Sequence, residues 1–219
     1  MKHRAKYDAK SRTASTRERR GMASALAGIG REFHARGWAL GTSGNYSAVL
    51  RVEPLRLLIT SSGLDKSALT EGDFLEIGRT GAAGLAKGKP SAETFLHLAV
   101  AGARKVGCVL HTHSVWSTLL SEKFVNQGGF AISGYEMLKG LEGVQTHDHR
   151  EWIPIFANAQ DVRALAEKVS EELKRDSEAH GFLLSGHGLY TWGSNIAQAR
   201  RHVEIFEFLF EVMGRKEFG

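Results

Sequence analysis

Short apolar runs that stop at turns of small residues alternate along this chain with apolar stripes at helical spacing. LLIT (57–60) halts at Ser61-Ser62-Gly63, FLEI (74–77) and GCVLHTH (107–113) are further strand segments, and FLLS (182–185) and LYTW (189–192) flank Gly186-His187-Gly188. GTSGNYSAVL reads as a turn running into a strand, and Ala131-Ile132 and IPIF (153–156) complete the set. Helices are expected between them. Met22, Leu26, Ile29 and Phe33 form one stripe behind the capping-box pair Ser15 and Glu18 and ahead of Gly37. Ser91 opens a helix to about Arg104, and Asn158 opens one striped by Val162, Leu165, Val169 and Leu173. Ser194 or Asn195 opens the last, with Ile196, Val203, Phe206, Phe210 and Met213 on its apolar face. The 219 residues show no internal repeat and no Pro- or Ser-rich linker. Short strands interleaved with helices argue for a layered α/β domain.

Charge enters because the chain carries a formal +5 and a pI near 9.4, which by itself points to nucleic acid. The excess is local. Residues 1–20 hold eight Lys and Arg against Asp8 and Glu18, a net of +6, which leaves −1 for residues 21–219. The basicity belongs to a terminal arm, read as solvated and disordered, and nucleic acid is not the expected partner. The arm lacks the apolar core of a secretory signal. No apolar run approaches the roughly 20 residues that span a membrane. A lone Cys108 leaves no internal disulfide and fits a reducing cytoplasm.

GCVLHTH ends in two histidines. On a strand, residues i and i+2 share a face. His111 and His113 therefore project together with Val109, while Cys108, Leu110 and Thr112 face the other way and Cys108 packs. Two imidazoles on one face at a strand end are half of a transition-metal site. The third ligand belongs at a distant strand end, and His187, between the glycines of LLSGHGLY, has that setting. A second His-x-His, His147-Asp148-His149, lacks an apolar lead-in and reads as a solvated turn. His34, His97, His180 and His202 fall in or at the ends of expected helices and read as surface or packing residues; His3 lies in the arm. An eight-fold βα barrel needs about 250 residues and a jelly roll is all-β, so neither suits this chain.

GTSGNYS, ITSSGLDKSALTEGDFLEI, KPSAETFLH, VLHTHS and GHGLYTWG occur in that order, and together they resemble the class II aldolase/adducin family over about residues 22–213. The resemblance implies a three-layer α/β/α fold with a central mixed β-sheet, and a single catalytic domain over 21–219 behind the arm 1–20. It implies one Zn2+ per subunit on His111, His113 and His187, and a cyclic homotetramer with active sites near subunit interfaces. It also implies a phosphate pocket at Asn45, Ser62-Gly63 and Ser91. Turns of small residues, hydroxyls and a helix N-terminus suit an anion on their own chemistry. Relatives often carry two serines before the glutamate of KPSAE; here the second is Ala92, which keeps the backbone N–H and loses a hydroxyl contact.

GYEMLKGLEGV (134–144) with THDHREWIPIFAN resembles, within that family, the dehydratases of methionine salvage, whose substrate is a 1-phosphorylated 2-ketose with a methylthio group at C5. Removing the C3 proton and the C4 hydroxyl leaves an enol that becomes a 2,3-diketone. A Lewis acid on the C2 carbonyl and C3 hydroxyl oxygens stabilises the developing enediolate. One carboxyl then takes the C3 proton and returns it to the departing hydroxyl. Glu136 matches the acid/base of the dehydratase branch and is preferred. Glu93 matches that of the aldolase branch; some dehydratases lack a carboxylate there, so a substrate contact or auxiliary ligand is its other reading. The methylthio wall stays open among Trp116, Phe130 and Met137. The rivals are an aldolase for fuculose- or rhamnulose-type phosphates or a pentulose-phosphate epimerase on the same site, a non-catalytic adducin-like module, and nucleic-acid binding by the arm.

Overall fold

The computed structural model describes residues 14–82, 88–104 and 106–219. Its strands are β1 (Asn45–Arg51), β2 (Arg56–Thr60), β3 (Phe74–Gly78), β4 (Cys108–Thr112), β5 (Gly129–Ile132), β6 (Glu151–Phe156), β7 (Gly181–Leu184) and β8 (Gly188–Gly193). They form one sheet in the order β3-β2-β1-β4-β8-β7-β6-β5, mixed because β6 and β7 run parallel while the other neighbours are antiparallel. Helices α1 (Thr16–Ala35), α2 (Thr94–Arg104), α3 (Val115–Phe124), α4 (Val162–Arg175) and α5 (Ile196–Phe218) cover both faces. On one face α2 and α4 bring Leu96, Val100, Leu165 and Val169 against Leu57, Ile59 and Val109. On the other, Leu26 and Phe33 of α1 and Val203 of α5 meet Tyr46, Leu58, Cys108 and Leu110. Further along that face, Leu120 of α3 and Phe206 and Phe210 of α5 meet Leu183 and Leu189. Successive strand residues feed opposite cores, and each fully buried Leu or Phe contributes about 1.5–3 kcal/mol. This is the expected α/β/α arrangement. Among the described residues no helix is long and apolar enough to cross a membrane.

Two local expectations need correction, and one helix was not expected. The arm does not extend to residue 20, because α1 begins at Thr16. The Ser15 hydroxyl accepts from the Glu18 N–H at 3.2 Å and the Glu18 carboxylate accepts from the Ser15 N–H at 2.7 Å, so the cap extends the helix back into the basic stretch. Residues 1–13 lie outside the described residues. Asn158 does not cap α4; Asp161 does, its carboxylate accepting from Ala164 N at 3.1 Å. The third helix, α3, has no expected counterpart. It starts at the Ser114 cap and buries Ser117 and Ser121 beside Leu120, so its inward face does not read as an apolar stripe.

On α5, Glu207 is buried beneath β4 and accepts a hydrogen bond from Thr112 Oγ1 at 3.0 Å. Burial pushes its carboxyl up from an ordinary 4.5 to about 7, against hydrogen bonds from Ser114 and Thr112. Between those two values the folded chain holds a proton that the unfolded chain has released, so stability falls as pH rises through the window. Glu207→Gln removes that dependence. At about pH 8 the variant is expected to be the more stable protein by up to about 3 kcal/mol, with the advantage shrinking towards about pH 5. Urea midpoints at the two pH values check this, and a pH-independent difference would reject it.

Candidate active site

β4 carries His111, with His113 just past its end, and the strand keeps the expected alternation: Val109 packs with α2 and α4, while Cys108 and Leu110 pack with α1 and α5. His187 arrives from the tight turn between β7 and β8. Its neighbour Gly188 has to be glycine, since a Cβ there would lie 2.0 Å from the Thr112 carbonyl oxygen. Gly44 has φ 76°, and its Cβ would stand 2.8 Å from the His111 carbonyl oxygen.

The three rings converge. His113 Nε2 lies 2.8 Å and His187 Nε2 lies 3.3 Å from His111 Nε2, and one nitrogen from each ring lies within 4.8 Å of the others. His111 Nδ1 donates to the Leu189 carbonyl at 2.9 Å, which places the proton on Nδ1 and leaves Nε2 with its lone pair inward. Burial drives His111 well below its ordinary range and His113 down to about 4, so both rings are neutral, as ligands must be. Tetrahedral bonds of about 2.0–2.1 Å separate ligand nitrogens by roughly 3.3 Å. The donor chemistry and spacing fit a divalent transition-metal ion.

Glu93 joins this group. Its Oε1 lies 2.9 Å from His187 Nε2 and 3.7 Å from His111 Nε2. Its Oε2 accepts from the Asn45 side-chain amide. Burial pushes the carboxyl up, but the His111 and His187 rings and the Asn45 amide outweigh it and hold the group well below the usual carboxylate range. The Asn45 amide oxygen in turn accepts from His97 Nε2, and the Ser47 hydroxyl donates to His97 Nδ1 at 2.8 Å. Burial lowers His97 to about 4, so the neutral ring these bonds require is the stable form. His97 is thus more than packing: it orients Asn45, which orients Glu93. The sequence signal was its place four residues after Glu93, one helical turn along α2.

Beside the histidines lies a small polar cavity of about 100 Å³ whose lining includes Ser43, Ser62, Gly63, Ser91 and His113. Asn45 and Glu93 border it as well. Asn45 therefore stands where it was expected, with its side-chain amide committed to Glu93 and His97. Sequence reasoning missed Lys66, which is 1% exposed on this cavity. Its ammonium donates to the carbonyls of Leu64 at 2.7 Å and Thr42 at 3.0 Å, tying together the two turns that shape the cavity. Burial lowers its pKa, with Asp65 and Glu93 opposing. No carboxylate among the described residues pairs with it directly. The signal was a lysine set among the small and apolar residues of SSGLDKSALT.

Glu136 is not in this group within one chain. It sits on a short turn (Glu136–Gly140) after β5, the edge strand. It is exposed, with ion pairs to Lys139 at 3.0 Å and His147 at 3.2 Å. Trp116 and Phe130 belong to the core under α5, and Met137 is partly exposed beside Glu136. None of the three lines the cavity. The turn 147–149, expected to be merely solvated, is instead engaged at both ends, through His147 with Glu136 and through His149 with Glu151.

Residues 24–213 match the family described as Class II Aldolase and Adducin N-terminal domain. The Methylthioribulose-1-phosphate dehydratase of Marinobacter nauticus is 43% identical over 190 residues, which cover 86% of this chain and 90% of that protein. The Methylthioribulose-1-phosphate dehydratase of Pseudomonas fluorescens is 43% identical over 197 residues, covering 90% and 92%. Among solved structures, an L-fuculose 1-phosphate aldolase superposes with a TM-score of 0.74 at 20% identity, covering 94% of this chain and 90% of that one. The l-fuculose-1-phosphate aldolase of Thermus thermophilus gives 0.70 at 23% identity, covering 89% and 94%. Those two likenesses speak for the fold.

Proposed function

This chain belongs to the class II aldolase and adducin family, and on that premise we propose that it is a hydro-lyase that converts 5-methylthioribulose 1-phosphate to 2,3-diketo-5-methylthiopentyl 1-phosphate, a step of methionine salvage. The convergence of three imidazoles beside an anion-suited cavity carries the reading. Identity to dehydratases over nearly the whole chain favours this branch over the aldolases. A divalent cation on His111, His113 and His187, zinc by the preference of three imidazoles, supplies Lewis-acid stabilisation to the charge that builds on the substrate's C2 and C3 oxygens. The Ser62 and Ser91 hydroxyls, the backbone of Ser62-Gly63 and the Lys66 ammonium hold the phosphate, with Asn45 shaping the pocket from its side. Glu93, steered by Asn45 and His97, holds its Oε1 beside the three ligand nitrogens, where it serves as an auxiliary ligand or substrate contact.

Glu136 takes the C3 proton and delivers it to the C4 hydroxyl, acting from a neighbouring subunit of a homotetramer. The catalytic unit is the domain from α1 onwards, and the cytoplasm is its setting. Incubating the purified protein with methylthioribulose phosphate or fuculose phosphate, with and without a chelator, tests the reading. The diketone is expected from the first substrate alone, and its formation stops when metal is removed. Cleavage of fuculose phosphate to dihydroxyacetone phosphate and an aldehyde, with no diketone from the first substrate, would overturn it in favour of the aldolase. A chain inert towards both and unable to bind metal would be the adducin-like module.

A further inference from the structure

The sheet has a second cluster of ligand-type side chains at its other end. β8 is antiparallel to both β4 and β7, and β6 is parallel to β7, so β4, β6 and β7 all point the same way. His111 and His113 stand at the C-terminal end of β4. His149, Glu151 and His180 stand at the N-terminal ends of β6 and β7. Glu151 is 1% exposed. Its Oε2 lies 2.9 Å from His149 Nε2 and 3.0 Å from His180 Nδ1, and its Oε1 accepts from the His180 backbone N–H at 3.1 Å. One ligand atom from each of the three lies within 4.8 Å of the others.

Two features separate this group from an ordinary buried ion pair. No lysine or arginine among the described residues pairs with Glu151, whose side-chain partners are two imidazoles. His180 is also oriented from outside: its outer nitrogen, Nε2, donates to the Glu142 carbonyl at 2.7 Å, which turns Nδ1 towards the carboxylate, where a metal ion would take the place of the shared proton. A nitrogen, nitrogen, oxygen set on a buried, oriented carboxylate suits borderline divalent ions such as Zn2+, Co2+ or Ni2+. His149 and His180 keep 24% and 13% of their side chains exposed, so an ion has a way in and room for water ligands.

We propose that His149, Glu151 and His180 form a second divalent-metal site, which clamps the segment carrying Glu136 to the sheet. That segment closes on itself through Gly134 N to the His147 carbonyl at 2.8 Å. Its middle is tied down at Glu142, whose N–H donates to His202 Nε2 at 3.2 Å and whose carbonyl receives His180 Nε2. An ion on His149 and His180 fastens the end of the segment to β6 and β7, two residues from the His147 that touches Glu136.

The test is metal stoichiometry on the full-length chain, stripped with a chelator, titrated with Zn2+ and read by elemental analysis. His149→Ala is expected to bind one equivalent fewer than the wild type, and so is Glu151→Gln, which keeps hydrogen-bonding capacity and guards against a folding artefact. This difference does not depend on the histidine triad: with the triad competent the counts are two and one, and with His113→Ala in the background they are one and none. Equal zinc content in the wild type and His149→Ala would overturn the site and leave a hydrogen-bonded cluster held by protons. Zinc is further expected to slow amide exchange over residues 134–149 in the wild type and not in His149→Ala. Exchange there that ignores zinc would overturn the clamp.

Discussion

His113→Ala is expected to lower kcat/KM by at least about a thousandfold, several kcal/mol of lost transition-state stabilisation. His113 is the ligand to remove because its ring is partly exposed and the residue lies beyond the end of β4, where its backbone N–H, kept in the variant, donates to the Trp38 carbonyl at 2.8 Å. His111 is a poorer choice. It is fully buried and stacks on Tyr190 with ring centroids 3.9 Å apart, so truncation there opens a cavity and mixes lost activity with lost stability. Compared as metal-free proteins, His113→Ala and the wild type are expected to unfold in urea with free energies within about 1 kcal/mol of each other, since the ring is partly exposed. Metal analysis is expected to show the loss of one bound ion. Wild-type kcat/KM in a chain that no longer binds that ion would reject metal-dependent dehydration outright.

Which parts of this site were legible in the sequence follows from how far each interaction reaches. The shared face of His111 and His113 is a period-two statement about five consecutive residues, and local geometry decides it. The turns at Ser62-Gly63 and Ser91 are equally local. The Glu93–Asn45–His97–Ser47 chain is different, because it joins α2 to β1 across about 50 positions and exists only once the sheet is assembled. Lys66 looks like a solvated turn lysine until the Thr42 carbonyl, 24 positions earlier, closes over it. The pair His149 and His180 is invisible for the same reason. The sequence separates them by a strand and a helix, and only the parallel pairing of β6 with β7 brings their starts together. Ser117 and Ser121 hid α3, since a helix that buries serines against a neighbour does not announce its face by hydrophobicity.

Glu136→Gln is expected to lower kcat by about 10²–10⁴-fold, the usual range for a lost general acid/base, while the zinc content stays that of the wild type. Glu93→Gln is expected to cost less; if it alone is inactive, the aldolase-type base is the right one. The position of Glu136 adds a sharper requirement. β5 lies four strands from β4, about 19 Å across the sheet at about 4.8 Å per strand. β5 also runs opposite to β4, so its outgoing end and the histidines are at opposite ends of the sheet. No side chain spans that distance within one chain, so Glu136 can serve this site only from a neighbouring chain. Co-expressing His113→Ala with Glu136→Gln then regenerates activity from two dead parents. Wherever a chain with intact His113 meets a neighbour with intact Glu136, a complete site forms, and random assembly of equal amounts gives about a quarter of the sites in a cyclic oligomer. Mixed oligomers that stay as inactive as either parent, with assembly confirmed by size, would remove Glu136 from the neighbouring site and hand the proton transfer to Glu93.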